Sequence, residues 1–322
     1  GIFYNLWKGA IEGKNGYVPV FIPWFTDPDY REEVPKNFKR TPDEKDLAKK
    51  YKLDNEQLMF RRRKIAQNGI ELFKQEYPSF PDEAFLTTGR PVFNPDQLQK
   101  LLPETKDVED RLALEADEWV NHSRGELTTF IKHDSGEQYV IGADVSMGIR
   151  NGDYSVAIVL DSKKRQVAVF RSHVHPDYFA TVLFHLGTYY NDAFICVENN
   201  SHGILTCTRL GKDLAYPNFY TEVQHDKITD RETVKLGFTT TVKTKPLIID
   251  QLRASMREKE LELNDKVTIR EMLTYIVTES GAMEAEHGCY DDCVMSLALA
   301  NYVHEGAWEP IESGNEFYME MV

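Results

Sequence analysis

Four acidic residues stand where this sequence could hold metal ions. Asp144 ends the apolar run Tyr-Val-Ile-Gly-Ala-Asp, and Glu198 ends the run Ala-Phe-Ile-Cys-Val-Glu. Asp291 and Asp292 open the segment Asp-Asp-Cys-Val-Met-Ser-Leu-Ala-Leu-Ala, which has a strongly helical composition. Carboxylates that meet at one point repel each other unless divalent cations lie between them, so the convergence of these four would make a site for hard metal ions. Two such ions close together are a recurrent means of cutting phosphodiesters.

Each of the four acids also has a simpler interpretation. Asp144 and Glu198 could be solvated acids where strands end. Asp291 and Asp292 could cap their helix, which typically stabilises a helix by about 0.5–2 kcal/mol. Capping is compatible with metal binding, because one carboxylate can cap while the other ligates. Asp292 is expected to point inward because apolar residues follow it, but the sequence does not decide which of the pair is the principal ligand.

Three further residues are candidates for supporting roles. Asp153 follows Gly152 and is an auxiliary acid, although a loop Asp is often a turn former. Lys243 and Lys245 precede a helix predicted from Pro246 and are candidate DNA contacts. The alternative for both lysines is a solvated pair at a helix entry.

The elements that must position these residues have α/β character from about residue 136 onward. Short β-rich runs bounded by polar residues predict strands, and apolar residues at helical spacing predict helices. The predicted strands are Tyr139–Asp144, Tyr154–Leu160, Gln166–Ser172, Ala193–Glu198 and one near Phe219–Val223. The predicted helices are Asp177–Tyr190, one from Ser201, Pro246–Lys259 and Asp291–Tyr302. Acids at the ends of neighbouring strands emerge at the edge of a sheet, where a helix start can meet them.

The front of the chain reads as a smaller, mostly helical segment. Thr41, Pro42 and Glu44 predict a capping box and a helix that continues through Lys50. A second helix is expected over Asp54–Gln67, and helical stretches are expected from Pro95 to Val120. Residues 121–134 are interpreted as a linker or an edge hairpin. The predicted domains are therefore 1–134 and 135–322.

Composition and charge restrict the class of protein. The 322 residues are 41% hydrophobic and 28% charged, without the run of about 18 apolar residues that a membrane span needs. The four cysteines form no Cys-x-x-Cys pair, which suits a reducing compartment. The net charge is −14, and residues 135–322 hold 17 basic against 28 acidic residues, which gives −11. Strong general binding of nucleic acid is not expected from such a balance. Residues 227–270 reverse it, with 10 basic and 7 acidic residues, so this segment is the first candidate surface for a polyanion.

The order of these elements resembles the ribonuclease H-like nuclease fold: three strands, a helix, a strand, a helix and a terminal helix. Nearly the whole chain resembles the C-terminal part of a large terminase subunit of tailed phages. The motifs that carry the resemblance are Phe3-Tyr4-Asn5-Leu6-Trp7, Pro23-Trp24-Phe25, Gln75-Glu76-Tyr77-Pro78, Glu83-Ala84-Phe85, Ile141-Gly142-Ala143-Asp144, Gly152-Asp153-Tyr154-Ser155, Val197-Glu198-Asn199-Asn200, Gly237-Phe238-Thr239-Thr240, Thr244-Lys245-Pro246 and Tyr290-Asp291-Asp292.

The resemblance implies a fold and an activity. The expected fold is an α/β, ribonuclease H-like mixed sheet flanked by helices, and the expected activity is cleavage of double-stranded DNA during phage genome packaging in the host cell cytoplasm. Asp144, Glu198, Asp291 and Asp292 would hold two divalent cations, Mg²⁺ or Mn²⁺. The terminase small subunit and the portal protein are the implied partners, and no membrane is involved.

One feature departs from the family pattern. Large terminase subunits also have a packaging ATPase, but no Gly-x-x-x-x-Gly-Lys-Ser/Thr loop occurs here, so ATP hydrolysis is not expected of this chain. Residues 1–134 would be the C-terminal remnant of that ATPase together with a linker. The alternatives are a Holliday-junction resolvase-like or transposase-like nuclease of the same fold, and a non-catalytic prophage remnant.

Overall fold

Two compact units make up the fold. The computed structural model describes residues 2–85, 90–150, 152–226, 231–278, 280–286 and 288–308. One unit comprises residues 1–92 together with 273–289, and the other comprises residues 93–272 together with 290–322. The predicted division at residue 134, which assigns an origin to each part, stays a prediction.

Helices and strands alternate through the second unit, whereas helices dominate the first. The α-helices over the described residues are α1 (Ile2–Ile11), α2 (Pro42–Tyr51), α3 (Asn55–Asn68), α4 (Ile70–Glu76), α5 (Pro95–Leu101), α6 (Pro176–Tyr189), α7 (Gly203–Thr208), α8 (Thr244–Glu258), α9 (Lys266–Leu273) and α10 (Asp292–His304). The strands are β1 (Arg90–Pro91), β2 (Asp110–Glu115), β3 (Glu118–Asn121), β4 (Leu127–Thr129), β5 (Tyr139–Asp144), β6 (Ser155–Asp161), β7 (Gln166–Ser172), β8 (Phe194–Val197), β9 (Thr221–Asp226), β10 (Arg231–Leu236), β11 (Tyr275–Val277) and β12 (Met283–Ala285).

The first unit is an aromatic-rich helical body. The Trp24 ring stacks on the Phe60 ring, with 5.7 Å between the ring centres. The Phe73 ring meets Trp24 edge-on, with 5.8 Å between the ring centres. The predicted capping box is present, because the Thr41 side chain accepts from the Glu44 backbone while Glu44 accepts from the Thr41 backbone. Helix α3 begins with a second capping box and matches the predicted Asp54–Gln67 helix within one residue. A small antiparallel sheet in the order β1-β11-β12 belongs to the same unit.

The second unit is built on a seven-stranded mixed sheet in the order β3-β2-β4-β7-β6-β5-β8. Strands β5, β6 and β7 are antiparallel neighbours, and β8 returns parallel to β5. Three antiparallel strands with a fourth added parallel to the first give the ribonuclease H-like arrangement, so the predicted α/β fold class is confirmed. The predicted strands at these four positions agree with the structure within one residue.

The segment from Pro95 to Val120 was predicted wrongly as helical. Helix there is confined to α5 and the 3₁₀ turn Leu102–Glu104 that follows it, and residues 110–121 form the hairpin β2–β3. Leu, Ala and Glu favour a helix locally, but the buried Leu112 makes the sheet pairing decisive. The turn uses positive φ angles at Ala116 (47°) and Asp117 (69°), which no Asn-Gly signal announces. Residues 121–134 are likewise not a simple linker or edge hairpin, because β4 lies inside the sheet between β2 and β7.

The strand predicted near Phe219–Val223 is placed differently in the structure. Phe219 forms only an isolated bridge to Ile195, and the strand begins at Thr221. Strand β9 then pairs with β10 in a separate two-stranded sheet. The predicted helices at α6, α7, α8 and α10 are present, each beginning within two residues of its expected start.

The core of the second unit lies on both faces of β5. Ile141 and Ala143 pack with Phe179 and Leu183 of α6 in one apolar cluster. The opposite face at Gly142 meets α10 so closely that an added Cβ would stand 2.1 Å from the Ser296 carbonyl oxygen. Glycine is therefore required at this crossing, and the contact sets the position of α10 against β5.

Neither a membrane-spanning helix nor a disulfide occurs in the described part of the chain. Over the described residues, no helix combines the length and the hydropathy that a bilayer crossing requires. The four cysteines, which all lie in the described part of the chain, form no disulfide with one another: Cys196, Cys207, Cys289 and Cys293.

Candidate active site

A cavity of about 350 Å³ in the second unit gathers the acids that the sequence singled out. It lies at the end of β5 and β8 and at the start of α10. Its polar lining residues are Asp144, Ser146, Asp153, Glu198, His202, Lys245, Asp291 and Asp292. Of the predicted site residues, only Lys243 is not part of this lining, and it is exposed directly before α8.

Asp144 and Glu198 meet because two parallel strands end in register. Ala143 pairs with Val197, and the Glu198 backbone N–H donates to the Ala143 carbonyl at 2.9 Å. The next residues, Asp144 and Glu198, therefore emerge side by side at the same edge of the sheet. The arrangement predicted from the two strand ends is the one observed.

The carboxyl group of Asp144 lies against that of Glu198. Burial, and then the negative charge of Glu198, raise the pKa of Asp144 well above its ordinary value. A hydrogen bond between the two side chains adds to this rise, because it requires Asp144 to keep its proton. Asn200 further donates from Nδ2 to Glu198 Oε1 at 3.4 Å and to the Thr240 carbonyl at 2.7 Å. The amide therefore helps to orient Glu198.

Asp292 is the more deeply buried member of the acid pair on α10. It is 5% exposed, and its Oδ2 accepts a hydrogen bond from the Tyr154 backbone at 3.1 Å. Burial, followed by the negative charge of Glu271, raises its pKa to about 8. The expectation that Asp292 points inward agrees with this placement.

Asp291 faces a lysine instead of capping the helix. Its carboxylate makes no capping hydrogen bond to the first turn of α10, all of which lies in the described part of the chain. The Lys245 Nζ is 3.5 Å from Asp291 Oδ2. Burial raises the pKa of Asp291, and the charge of Lys245 opposes that rise. Lys245 therefore lies in the acidic cavity and contacts Asp291 directly, whereas the sequence predicts only a DNA contact for it.

Residues behind Asp292 were missed by sequence reasoning. Arg171 and Glu271 form a buried ion pair, with Arg171 Nη2 3.2 Å from Glu271 Oε1. Glu271 Oε2 also accepts the Cys293 backbone N–H at 2.7 Å. No local pattern relates residues 171 and 271, which are 100 positions apart, so only the folded chain reveals this pair.

The donor set suits a hard divalent cation in type. Carboxylate oxygens are the ligands that Mg²⁺, Mn²⁺ and Ca²⁺ prefer, and buried acids with raised pKa values gain most when a cation replaces their protons. Among the described residues, no three His, Cys, Asp or Glu side chains already stand at the spacing of a finished coordination shell. Asp144, whose pKa is raised, and Asp291, which pairs with the Lys245 ammonium group, would each exchange a positive partner for the cation, so the residues fit such an ion.

Comparisons with known proteins find structural similarity and no family match. A scan against protein-family models gives no match to this chain. The large terminase nuclease of the thermophilic phage G20c, in a crystal structure with bound cobalt, is 23% identical, with 67% of this chain and 98% of that chain covered and a TM-score of 0.48. The large terminase nuclease domain of Thermus phage P74-26 is also 23% identical, with 67% and 97% covered and a TM-score of 0.45.

Proposed function

We propose that this chain is a metal-dependent endonuclease that cuts double-stranded DNA, the nuclease part of a phage large terminase. The observation that carries the proposal is the meeting of Asp144, Glu198, Asp291 and Asp292 in one cavity at the edge of a ribonuclease H-like sheet. Three separate elements deliver these acids, and burying them together costs free energy that a purely structural role would not recover. A bound cation recovers it.

The four carboxylates would hold two divalent cations, Mg²⁺ or Mn²⁺. When bound, such ions supply Lewis acidity to a phosphodiester and lower the pKa of water. Asp144 would give up its proton on becoming a ligand, and Glu198 would ligate beside it. Asn200 keeps Glu198 turned towards the cavity, and Asp153 adds a further acid at the rim.

Lys245 would have two successive roles in this site. In the metal-free protein its ammonium group neutralises Asp291. Once a cation takes over that charge, the same ammonium group is available to a phosphate at the cavity mouth. Lys243 is exposed one residue before α8, where it would add a contact to the DNA backbone.

Because the chain is acidic overall, other molecules would have to supply part of the affinity for DNA. A net charge of −14 opposes approach to DNA, and the reversal over residues 227–270 is local. The proposed function therefore includes partners that hold the DNA: the small terminase subunit, the portal protein and a packaging ATPase. The proposed place of action is the host cell cytoplasm.

Plasmid cleavage tests the proposal directly. Supercoiled DNA incubated with the protein and millimolar Mn²⁺ or Mg²⁺ is expected to become nicked and linear, and EDTA is expected to abolish cutting. The same cations should raise the melting temperature, since a ligand that binds the folded state stabilises it. Equal cutting in EDTA would exclude the metal-dependent mechanism.

A substrate comparison separates the proposal from its nearest alternative. Linear duplex and a four-way junction of the same arm sequence are offered at equal concentration. Comparable cutting of the linear duplex supports the terminase-type activity, whereas strong preference for the junction favours a resolvase-like enzyme. The variant Asp250→Asn, which changes an exposed acid on α8, is the matched control and should cut as the wild type does.

A further inference from the structure

Two backbone N–H groups, one bonded to the Asp292 carboxylate and one on the residue after it, connect Asp292 to a single buried ion pair. The Tyr154 N–H donates to Asp292 Oδ2 at 3.1 Å, and the neighbouring Cys293 N–H donates to Glu271 Oε2 at 2.7 Å. The other Glu271 oxygen is 3.2 Å from Arg171 Nη2. The Arg171 guanidinium carbon lies 3.4 Å from the centre of the Tyr154 ring. These contacts form a closed ring that begins and ends at Asp292.

The ring contains more charge than a helix cap requires. The side chains of Arg171 and Glu271 are only 15% and 7% exposed, so both ions lose most of their hydration. A neutral acceptor such as a Gln amide would satisfy the Cys293 N–H at a lower desolvation cost. Neither side chain is among the described residues that line the cavity. What the pair adds is a fixed charge beside Asp292 and a clamp on the loop that carries Tyr154.

We propose that Glu271 and Arg171 are positioning residues that fix the Asp292 carboxylate for divalent-cation binding. Glu271 anchors the first turn of α10 through Cys293, and Arg171 anchors Tyr154, whose backbone N–H orients Asp292 Oδ2. The negative charge of Glu271 also makes the site more attractive to a cation. This inference rests on the proposed nuclease function, since it assigns a ligand role to Asp292.

A purely structural role for the pair makes a different prediction. It would lower the melting temperature of a variant and leave its cation affinity unchanged. Outer groups that orient metal ligands typically change affinity by about 10- to 100-fold when altered. Cation affinity, measured beside stability, therefore distinguishes the two roles.

The experiment compares Mn²⁺ binding by the full chain in three forms, with free Mn²⁺ followed by electron paramagnetic resonance. Glu271→Gln keeps an acceptor for the Cys293 N–H but removes the ion pair. Asp161→Asn is the matched control, because Asp161 is 1% exposed and pairs with Arg165 at the far end of β6. Glu271→Gln is expected to bind Mn²⁺ about tenfold more weakly than the wild type, whereas Asp161→Asn loses stability and keeps wild-type affinity. Wild-type affinity in Glu271→Gln, or an equal loss in Asp161→Asn, overturns the inference.

A second variant decides the matter if Glu271→Gln does not fold. Arg171→Lys keeps a cation beside Glu271 but removes the planar group that covers the Tyr154 ring. Its Mn²⁺ affinity should fall several-fold, and wild-type affinity in this folded variant would likewise overturn the inference. A wild-type protein that binds Mn²⁺ without cutting DNA defeats the proposed nuclease activity, while the affinities still decide the positioning role. A wild-type protein that binds no Mn²⁺ overturns both.

Discussion

The carboxyl groups of this site store unfavourable electrostatic free energy in the metal-free protein. Asp144 and Asp292 both have raised pKa values, and in both the largest cause is burial. The second cause is a neighbouring acid: Glu198 for Asp144 and Glu271 for Asp292. Such a site is costly to maintain in an empty state and gains free energy when protons are exchanged for a divalent cation.

The first prediction at this scale concerns the two strand-end acids. Asp144→Asn and Glu198→Gln should each reduce plasmid cleavage by at least about 100-fold, because each removes a proposed ligand. The melting temperature of the metal-free protein should not fall, because each change removes one charge from a repelling group. Cleavage assays and thermal unfolding in EDTA measure the two effects. Normal cutting by both variants would show that the site has been assigned wrongly.

The pH dependence of stability gives a second prediction. The pKa of Asp292 is raised in the folded protein to about 8, so the folded state holds this proton more tightly than the unfolded state does. The resulting stabilisation is complete below the unfolded pKa of about 4 and is lost as the pH rises through about 8. The metal-free protein should therefore melt at a lower temperature at about pH 9 than at about pH 6. Asp292→Asn should reduce that difference, and Asp144 should account for part of what remains.

Divalent cations provide the control for this pH experiment. Protons and cations compete for the same carboxylates, so Mg²⁺ should raise the melting temperature more at high pH than at low pH. An Asp292→Asn variant that shows the full wild-type decline with pH would contradict the assignment of a raised pKa to Asp292.

At the scale of elements, the site depends on where helices begin. Helix α10 is drawn against β5 at Gly142, and Ser296 Oγ donates to the Gly142 carbonyl at 2.7 Å. This crossing brings the first residues of α10 to the end of β5. Helix α8 begins at Thr244 and packs along α10, so its first turn brings Lys245 to Asp291. Helix starts, together with two strand ends, therefore converge on the cavity.

The lysines at the start of α8 allow a matched comparison. Lys245→Ala removes the cation that neutralises Asp291 and should strengthen Mn²⁺ binding several-fold, because the metal no longer competes with an ammonium group. Lys243→Ala removes an exposed charge outside the cavity lining and should leave Mn²⁺ affinity unchanged. The sequence does not indicate this difference, since it predicts the same DNA contact for both lysines.

Both lysine variants should weaken DNA binding. Each lost phosphate contact lowers the salt dependence of the binding constant by about 0.9 in slope, so the double variant should lose up to about 1.8. Binding titrations over a range of salt concentrations measure this slope. An unchanged slope in the double variant would place the DNA elsewhere, with Arg61-Arg62-Arg63-Lys64 of α3 as the next basic stretch to test.

At the scale of the whole molecule, sequence patterns located the acids and missed what supports them. Buried strands and their terminal acids are visible because each is a short local run, and strand order follows once three strands and a helix are recognised. Local sequence patterns do not reveal the pairing of Arg171 with Glu271, because the two residues are distant in the chain. They fail to predict β2 and β4 for the same reason. Local composition favoured a helix over residues 110–115, and only the pairing with β3 and β4 makes that segment a strand.

The same long-range pairing predicts where a chain that retains the seven-stranded sheet can begin. A protein that begins at residue 135 lacks β2, β3 and β4, whereas one that begins at residue 93 keeps them. Loss of β4 opens the edge of β7, where Leu127 pairs with Phe170. The buried Leu127 is lost with β4, and the buried Leu112 is lost with β2. Each buried leucine contributes about 1.5–3 kcal/mol.

Both truncated proteins lack residues 1–92, so their comparison isolates the contribution of the three strands. Residues 93–322 should unfold cooperatively at a clearly higher temperature than residues 135–322, and the shorter protein should associate through its open strand edge. Thermal unfolding by circular dichroism and size-exclusion chromatography measure both properties. Equal melting temperatures and monomeric behaviour of both would mean that β2–β4 are dispensable and that the second domain begins at residue 135, as the sequence predicts.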